Sequence, residues 1–274
     1  MSNTNGRIAR RFAALATAGR KALIPYIVAG DPAVDITVEL MHAMVEAGAD
    51  IIELGVPFSD PMAEGPVIQG GHERALEAGI RLRDVLAMVA EFRQQDVETP
   101  VLLMGYANPV MGMGFANFAD AASSAGLDAL LTVDMPPEEV ETLNEELQRV
   151  GVDNIFLVAP TTPRLRIEKI AEVATGFVYY VSLKGVTGAG NLDVQDVAHH
   201  LTQIRACSDL PVAVGFGIKD AASAAKVASV ADGVVVGSAL VQLMAMAAEA
   251  GGSAAAIEAA VTLLKDIRSG IDAV

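Results

Sequence analysis

Eight short apolar runs recur along the chain, and the stretch between successive runs is long enough for at least one helix or turn. The runs occupy 22–28, 50–54, 101–106, 128–133, 154–158, 177–182, 211–215 and 232–236. Each is almost continuously apolar, which is typical of parallel strands covered on both faces. Between them, apolar residues fall at helical spacing in 34–47, 82–92, 136–150, 167–174, 194–206 and 221–230. This alternation predicts an α/β protein with a parallel sheet.

The number of strand–helix units favours one particular closure of that sheet. Eight units in 274 residues fit a single (β/α)8 TIM barrel better than an open doubly wound sheet, because such barrels take roughly 250 residues. No linker or shift in composition divides the chain, so we expect one TIM-barrel domain over 1–274. Ile8, Phe12 and Leu15 fall at helical spacing and predict an additional N-terminal helix packed on the barrel.

The charge and the cysteine content exclude several classes of function. A formal net charge of −15 disfavours nucleic acid and anionic membrane surfaces as partners. A single cysteine, Cys207, excludes an internal disulfide framework, and the four histidines have no metal-ligand spacing, so we expect no metal site. The apolar stretch near the N-terminus is too short for a signal peptide, which favours the cytoplasm. The uncharged segment 99–119 is interrupted by proline and glycine and predicts a strand followed by a loop.

Two acidic residues near the second strand are candidates for proton transfer. Glu53 lies inside an apolar strand, where burial would raise its pKa toward neutrality, although a salt-bridged structural glutamate would fit the same pattern. The long connection 55–71 that follows carries Asp60 and Glu64 among prolines that restrict it. The alternative interpretation of this connection is a rigid surface loop whose acidic side chains are solvated. In a barrel, connections after strands lie at the face where active sites form.

Glycine clusters follow the last three predicted strands. They lie at 185–190, 215–217 and 237–238, and the first belongs to a second long connection, 183–193, of the kind that forms lids or binding loops. Loops after strands 7 and 8, together with a helix N-terminus, form the usual phosphate site of this barrel. The clusters together predict a phosphate monoester ligand.

Seven sequence pieces together resemble the α subunit of tryptophan synthase along almost the whole chain. They are YIVAGDP at 26–32, IELGVPFSDP at 52–61, GPVIQ at 65–69, MGYANP at 104–109, GVTG at 185–188, GFG at 215–217 and GS at 237–238. The second piece is highly specific, and all seven occur in register.

The resemblance implies a (β/α)8 barrel and a carbon–carbon lyase of tryptophan biosynthesis. The implied reaction is the retro-aldol cleavage of indole-3-glycerol phosphate to indole and glyceraldehyde 3-phosphate. No cofactor is implied in this chain. The implied partner is a β subunit that carries pyridoxal phosphate, receives indole through a tunnel and forms an α2β2 tetramer with it.

The resemblance also implies roles for individual residues. Glu53 matches the catalytic acid/base, and Glu64 stands where the family normally has an aspartate that hydrogen-bonds the indole N–H. The implied substrate-binding residues are Tyr179, Thr187, Gly188, Phe216, Gly217, Gly237 and Ser238. Pro57, Asp60 and Asn108 match segments that face the β subunit. Because glutamate is one methylene longer than aspartate, either the loop has shifted to compensate or activity is reduced.

Other functions remain open at the level of sequence. A stand-alone lyase would release free indole without a partner. A regulatory subunit would activate the β subunit while its own chemistry is weakened at Glu64, although Glu53 and the phosphate-site glycines are retained. Without the family resemblance, a barrel phosphosugar isomerase or aldolase would be the next hypothesis.

Overall fold

Eight parallel strands close into a barrel in the computed structural model, which describes residues 6–181, 194–215 and 217–274. The strands are β1 (Ala22–Val28), β2 (Ile52–Gly55), β3 (Val101–Gly105), β4 (Ala129–Thr132), β5 (Asp153–Val158), β6 (Val178–Val181), β7 (Val212–Gly215) and β8 (Gly233–Val236). They pair in chain order, and β1 pairs with β8 through Ala22↔Gly233 to Pro25↔Val236. The predicted TIM barrel is confirmed.

Helices surround the barrel and close one of its ends. They are α1 (Arg7–Thr17), α2 (Thr37–Glu46), α3 (Pro66–Glu77), α4 (Leu82–Phe92), α5 (Ala107–Met113), α6 (Phe115–Ala125), α7 (Glu141–Val150), α8 (Arg164–Val173), α9 (Val194–Arg205), α10 (Ala221–Ala228) and α11 (Ser238–Asp272). A 3-10 turn, Val34–Ile36, precedes α2. The additional N-terminal helix is α1, and its buried residues are the three that its spacing indicated: Ile8, Phe12 and Leu15.

Alternation along each strand divides the apolar residues into two packed layers. Ile24, Leu102 and Leu131 belong to the interior cluster, whereas their strand neighbours pack with the surrounding helices. Helix α1 covers the amino-terminal end of the interior, where the rings of Phe12 and Phe177 lie 5.7 Å apart. The amino-terminal end is therefore filled, and the carboxyl-terminal end is left for a site.

Three aspartates at the amino-terminal ends of the strands are paired with arginine. Asp50 accepts from Arg268 at 3.0 Å and from the backbone N–H of Leu23 at 2.9 Å. Asp128 accepts from Arg93 at 2.6 Å, and Asp232 accepts from Arg205 at 3.0 Å. These pairs tie helices to the barrel, and they satisfy carboxylates that would be costly to bury alone.

Two expectations about loops are wrong. The connection after β2 is shorter than 55–71, because α3 already begins at Pro66. Proline is favoured in the first helical turn, where its missing N–H would have no partner in any case. Likewise, 99–119 is not a strand followed by a loop, since α5 and the first five residues of α6 follow β3. The predicted connection 183–193 lies outside the described residues.

The last helix, α11, is long and apolar enough by length and composition to cross a membrane. Gly252, with φ 75° and ψ −167°, interrupts its helical geometry. On both sides of this break its apolar residues, including Leu240, Met244, Leu264 and Ile267, join the outer core around the barrel. Packing against the barrel therefore accounts for the buried apolar residues of α11.

The contact between α11 and α10 is close enough to require glycine. A Cβ on the buried residue Gly270 would overlap the carbonyl oxygen of Ala221. We expect Gly270→Ala to lower the free energy of unfolding by about 1–3 kcal/mol, because the two helices would have to separate. Gly112→Ala is the matched control, since its Cβ would meet nothing within 4 Å on the exposed face of α5. Urea unfolding of both variants checks the prediction, and equal midpoints would contradict it.

Candidate active site at the carboxyl ends of the strands

Glu53 is a fully buried carboxyl group in the middle of β2. Its neighbours in register are Tyr26 on β1 and Leu102 on β3. Its side chain is 0% exposed, and neither carboxyl oxygen has a hydrogen-bond partner among the described residues. The structure therefore does not support the alternative interpretation, in which Glu53 is a structural glutamate held in a salt bridge.

Glu64 lies in the loop 56–65 that connects β2 with α3. The hydroxyl of Tyr106 donates a hydrogen bond to a carboxylate oxygen of Glu64, and the Ala63 N–H donates to the Tyr106 oxygen at 3.1 Å. The ring of Tyr106 stacks on that of Phe58, with ring centroids 4.8 Å apart. The loop thus holds Glu64 half-buried rather than solvated.

Burial gives the two carboxyl groups different proton affinities. Burial, and after it the charge of Glu64, raises the pKa of Glu53 from 4.5 to about 8. Burial also raises the pKa of Glu64, but the hydrogen bond from Tyr106 opposes that rise. With a pKa of about 8, Glu53 is mostly protonated at neutral pH. Two neighbouring acids with separated pKa values are typical of acid–base catalysis.

Two tyrosines border Glu53 within the barrel. Tyr179 on β6 is buried, and burial together with the charge of Glu53 raises its pKa well above the ordinary value. Its hydroxyl occupies space that a Cβ on Gly215 would need. Tyr26 has the same relation to Gly55, so the two glycines make room for the two phenol groups.

Glycines follow β7 and β8, which are neighbouring strands. The pairing Gly215↔Val235 places Gly217 and Gly237 just beyond the carboxyl ends of these two strands. Gly217 has a positive φ of 57° and is exposed, and Gly237 precedes Ser238, the first residue of α11. The first N–H groups of a helix have no partner within it and can bind an anion.

The structure describes some of the predicted site residues and not others. Glu53, Glu64, Tyr179, Gly217, Gly237 and Ser238 all lie at the carboxyl-terminal side of the barrel. Thr187, Gly188 and Phe216 lie outside the described residues. Tyr26, Tyr106 and His72 were not singled out from the sequence, although Tyr26 and Tyr106 belong to the matching pieces. Tyr26 could have been found from the strand pattern, because it lies two residues after Ile24 and both side chains therefore point into the barrel.

The opposite end of the barrel has a cavity of about 580 Å³, lined by residues that include Phe12, Arg20, Arg205 and Asp232. Arg205 there is ion-paired with Asp232, and Arg20 with Asp272. Within the described ranges, no three His, Cys, Asp or Glu side chains are grouped to hold a metal ion. The buried carboxyl group of Glu53, which has no hydrogen-bond partner among the described residues, therefore distinguishes the carboxyl-terminal end as the candidate site.

The fold and the two neighbouring carboxyl groups are those of a (β/α)8-barrel enzyme suited to proton transfer. The family model described as tryptophan synthase alpha chain matches residues 12–268. The chain therefore belongs to the tryptophan synthase alpha chain family.

Individual relatives agree over nearly the whole length. The tryptophan synthase alpha chain of Thioalkalivibrio sulfidiphilus is 66% identical over 239 residues, covering 87% of this chain and 90% of the relative. That of Laribacter hongkongensis is 57% identical and covers 97% and 99%. The crystal structure of tryptophan synthase subunit alpha from Legionella pneumophila superposes with a TM-score of 0.92 at 45% identity, covering 98% of this chain and 99% of the other. The predicted family, and with it a lyase of tryptophan biosynthesis, is confirmed.

The unpaired burial of Glu53 has a measurable effect on stability. Because the pKa rises from 4.5 in the unfolded chain to about 8 on folding, the folded state binds more protons between these values. The free energy of unfolding should therefore fall as the pH rises through this interval. Glutamine cannot ionise, so Glu53→Gln should not lose stability over this interval. At pH 9 we expect its free energy of unfolding to exceed that of wild type by on the order of 4 kcal/mol.

Urea unfolding at pH 5 and pH 9 measures this difference. The gain from Glu53→Gln should be largest at pH 9 and small at pH 5. Glu145→Gln, on the exposed face of α7, is the control and should show no such dependence. A gain for Glu53→Gln that does not change with pH would contradict the raised pKa.

Proposed function

We propose that this chain cleaves indole-3-glycerol phosphate to indole and glyceraldehyde 3-phosphate, with Glu53 as the acid and base and Glu64 as the group that binds the indole N–H. The observation that carries the proposal is the buried, unpartnered carboxyl group of Glu53, whose pKa is raised to about 8 beside Glu64. A carboxyl group with this pKa can both give and take a proton near neutral pH.

The reaction uses one carboxyl group twice. The protonated carboxyl group of Glu53 gives its proton to carbon C3 of indole, and the ring nitrogen becomes positively charged. The Glu64 carboxylate accepts a hydrogen bond from that N–H and stabilises the charge. Glu53 then removes the proton of the hydroxyl group on the side-chain carbon attached to C3. The carbon–carbon bond breaks, its electrons return to the ring, and indole and the aldehyde leave.

The remaining predicted residues fit the two ends of this substrate. Gly217, Gly237 and Ser238 lie where backbone N–H groups and the N-terminus of α11 can bind the phosphate. Tyr179 borders Glu53 and forms one wall of the pocket. We propose that Thr187, Gly188 and Phe216 complete the substrate site, as the family resemblance implies.

The partner proposed for this chain is a tryptophan synthase β subunit, in an α2β2 tetramer. The segments expected to face it, around Pro57, Asp60 and Asn108, carry large exposed apolar side chains. Met62 is 84% exposed and Met111 is 60% exposed. Large apolar side chains exposed in these segments support a protein partner.

The proposal extends to the cofactor, the domain and the location. Every step above uses protonated or charged side chains of this chain, so we propose no cofactor here and pyridoxal phosphate in the β subunit. We propose a single domain over 1–274, because α1 and α11 both pack on the one barrel. A cytoplasmic location is supported by the single cysteine and the expected biosynthetic role.

Indole release from indole-3-glycerol phosphate tests the proposed chemistry. The purified chain is assayed alone and with a matching β subunit, as wild type, Glu53→Gln and the control Glu145→Gln. We expect slow cleavage alone, strong activation by the β subunit, and a loss of about 10²–10⁴-fold in kcat for Glu53→Gln, because an amide cannot transfer the proton. The control should match wild type.

Other results would support other functions. Fast cleavage that the β subunit does not change would indicate a stand-alone lyase. Absence of cleavage, with the β reaction still stimulated, would indicate a regulatory subunit. Full activity of Glu53→Gln would show that another residue transfers the proton.

Glu64 is tested separately, because its role depends on its charge. We expect Glu64→Gln to lower kcat about 10²-fold, since a neutral amide stabilises the cationic ring poorly. Glu64→Asp keeps the charge and restores the residue usual in the family, so its kcat should stay within about 10-fold of wild type. The same indole assay measures both variants. An equal loss in the two variants would mean that length matters as much as charge, and wild-type kcat in Glu64→Gln would contradict the role of the charge.

A further inference from the structure

His72 is a buried histidine that the proposed reaction does not use. It lies on α3 and is 1% exposed. Its Nδ1 atom is 3.0 Å from the backbone nitrogen of Phe58, and its Nε2 atom is 3.4 Å from the hydroxyl oxygen of Tyr26. One ring therefore connects the loop 56–65 with the strand beside Glu53.

These contacts define which ring nitrogen carries the proton. The N–H of Phe58 can only donate, so Nδ1 accepts and has no proton of its own. Burial lowers the pKa of His72 from 6.5 to about 4, and the ring is neutral at physiological pH. Its single proton is then on Nε2, which donates to the oxygen of Tyr26.

The contact with Tyr26 acts next to the reacting carboxyl group. Tyr26 pairs in register with Glu53, and its hydroxyl fills the space over Gly55 in the barrel mouth. Because its oxygen accepts from His72, the hydroxyl proton of Tyr26 remains available to a different acceptor. Burial raises the pKa of this hydroxyl well above that of a free tyrosine, and the charges of Glu64 and Glu53 raise it further.

The contact with Phe58 acts on the second carboxyl group. Phe58 lies in the same loop as Glu64, and its ring stacks on Tyr106, which in turn donates to Glu64. Anchoring the Phe58 backbone at 3.0 Å therefore restricts the loop close to the point where it turns toward Tyr106. His72 is linked to both carboxyl groups and touches neither of them through a hydrogen bond.

We propose that His72 is a positioning residue for the cleavage reaction: it orients the Tyr26 hydroxyl beside Glu53 and holds the loop that carries Glu64. The proposal rests on the proposed roles of Glu53 and Glu64. A side chain of this kind acts through geometry, because an error of about 1 Å in a closed site can cost roughly 10²-fold in rate.

Two conservative substitutions separate the two contacts. His72→Asn keeps an acceptor near the position of Nδ1 for the Phe58 N–H and removes the donor to Tyr26. His72→Gln keeps a donor near the position of Nε2 and removes the acceptor for Phe58. Tyr26→Phe removes the hydroxyl but keeps the ring over Gly55. His42→Asn is the control, since His42 packs on Phe92 in α4, away from the mouth.

The assay is indole release by each variant in complex with a matching β subunit, with kcat and KM measured separately. We expect His72→Asn and Tyr26→Phe each to lower kcat about 10-fold with KM changed less than about 3-fold. The double variant should fall no further than either single variant, because both remove the same contact. His72→Gln combined with Glu64→Gln should likewise lower kcat no further than Glu64→Gln alone.

Thermal unfolding of the variants and the activity of Glu53→Gln complete the test. Thermal unfolding of every variant establishes that the protein is folded at the assay temperature, and His42→Asn should change stability without changing kcat. Wild-type kcat in His72→Asn and Tyr26→Phe, with Glu53→Gln inactive, would overturn the role of His72 and leave the proposed function intact. Losses that multiply in the double variants would also overturn it. An active Glu53→Gln would instead overturn the proposed function itself.

Discussion

An eight-stranded parallel sheet can close only if every second side chain of every strand fits into one shared interior. In this chain the requirement is met by aliphatic residues such as Ile24, Leu102 and Leu131, and by α1, which covers the amino-terminal end. The same alternation directs Tyr26, Glu53 and Tyr179 inward near the other end. The site is therefore a consequence of closure, since the strands that build the core also bring these three side chains together.

Among the described residues, Glu53 differs from the other buried acids of the barrel because its carboxyl oxygens have no hydrogen-bond partner. At the amino-terminal end, Asp50 and Asp128 are paired with arginines and with backbone N–H groups. At the carboxyl-terminal end, Glu53 has no partner among the described residues and faces the charge of Glu64. An unpaired buried carboxyl group lowers the free energy of unfolding once it ionises. Such groups are typical of sites where a proton is transferred.

The sequence predicted the barrel because strand periodicity is local: β1 and α4 have the same bounds in the sequence pattern and in the structure. Glu53 was also predictable, since one acid in an apolar strand is unusual without a reason. The helices that begin at Pro66 and Ala107 were missed, because proline and glycine were interpreted as breaks although proline fits a first turn. His72 could not be predicted, because its role depends on the register and on a loop that brings Phe58 to its ring.

The central claim is that burial without a partner makes Glu53 a neutral acid at physiological pH. Infrared difference spectroscopy measures it directly, by subtracting the spectrum of Glu53→Gln from that of wild type across a pH titration. The protonated carboxyl band assigned to Glu53 should disappear with a midpoint near pH 8. A midpoint between pH 4 and pH 5, the ordinary range of a solvated glutamate, would contradict the account.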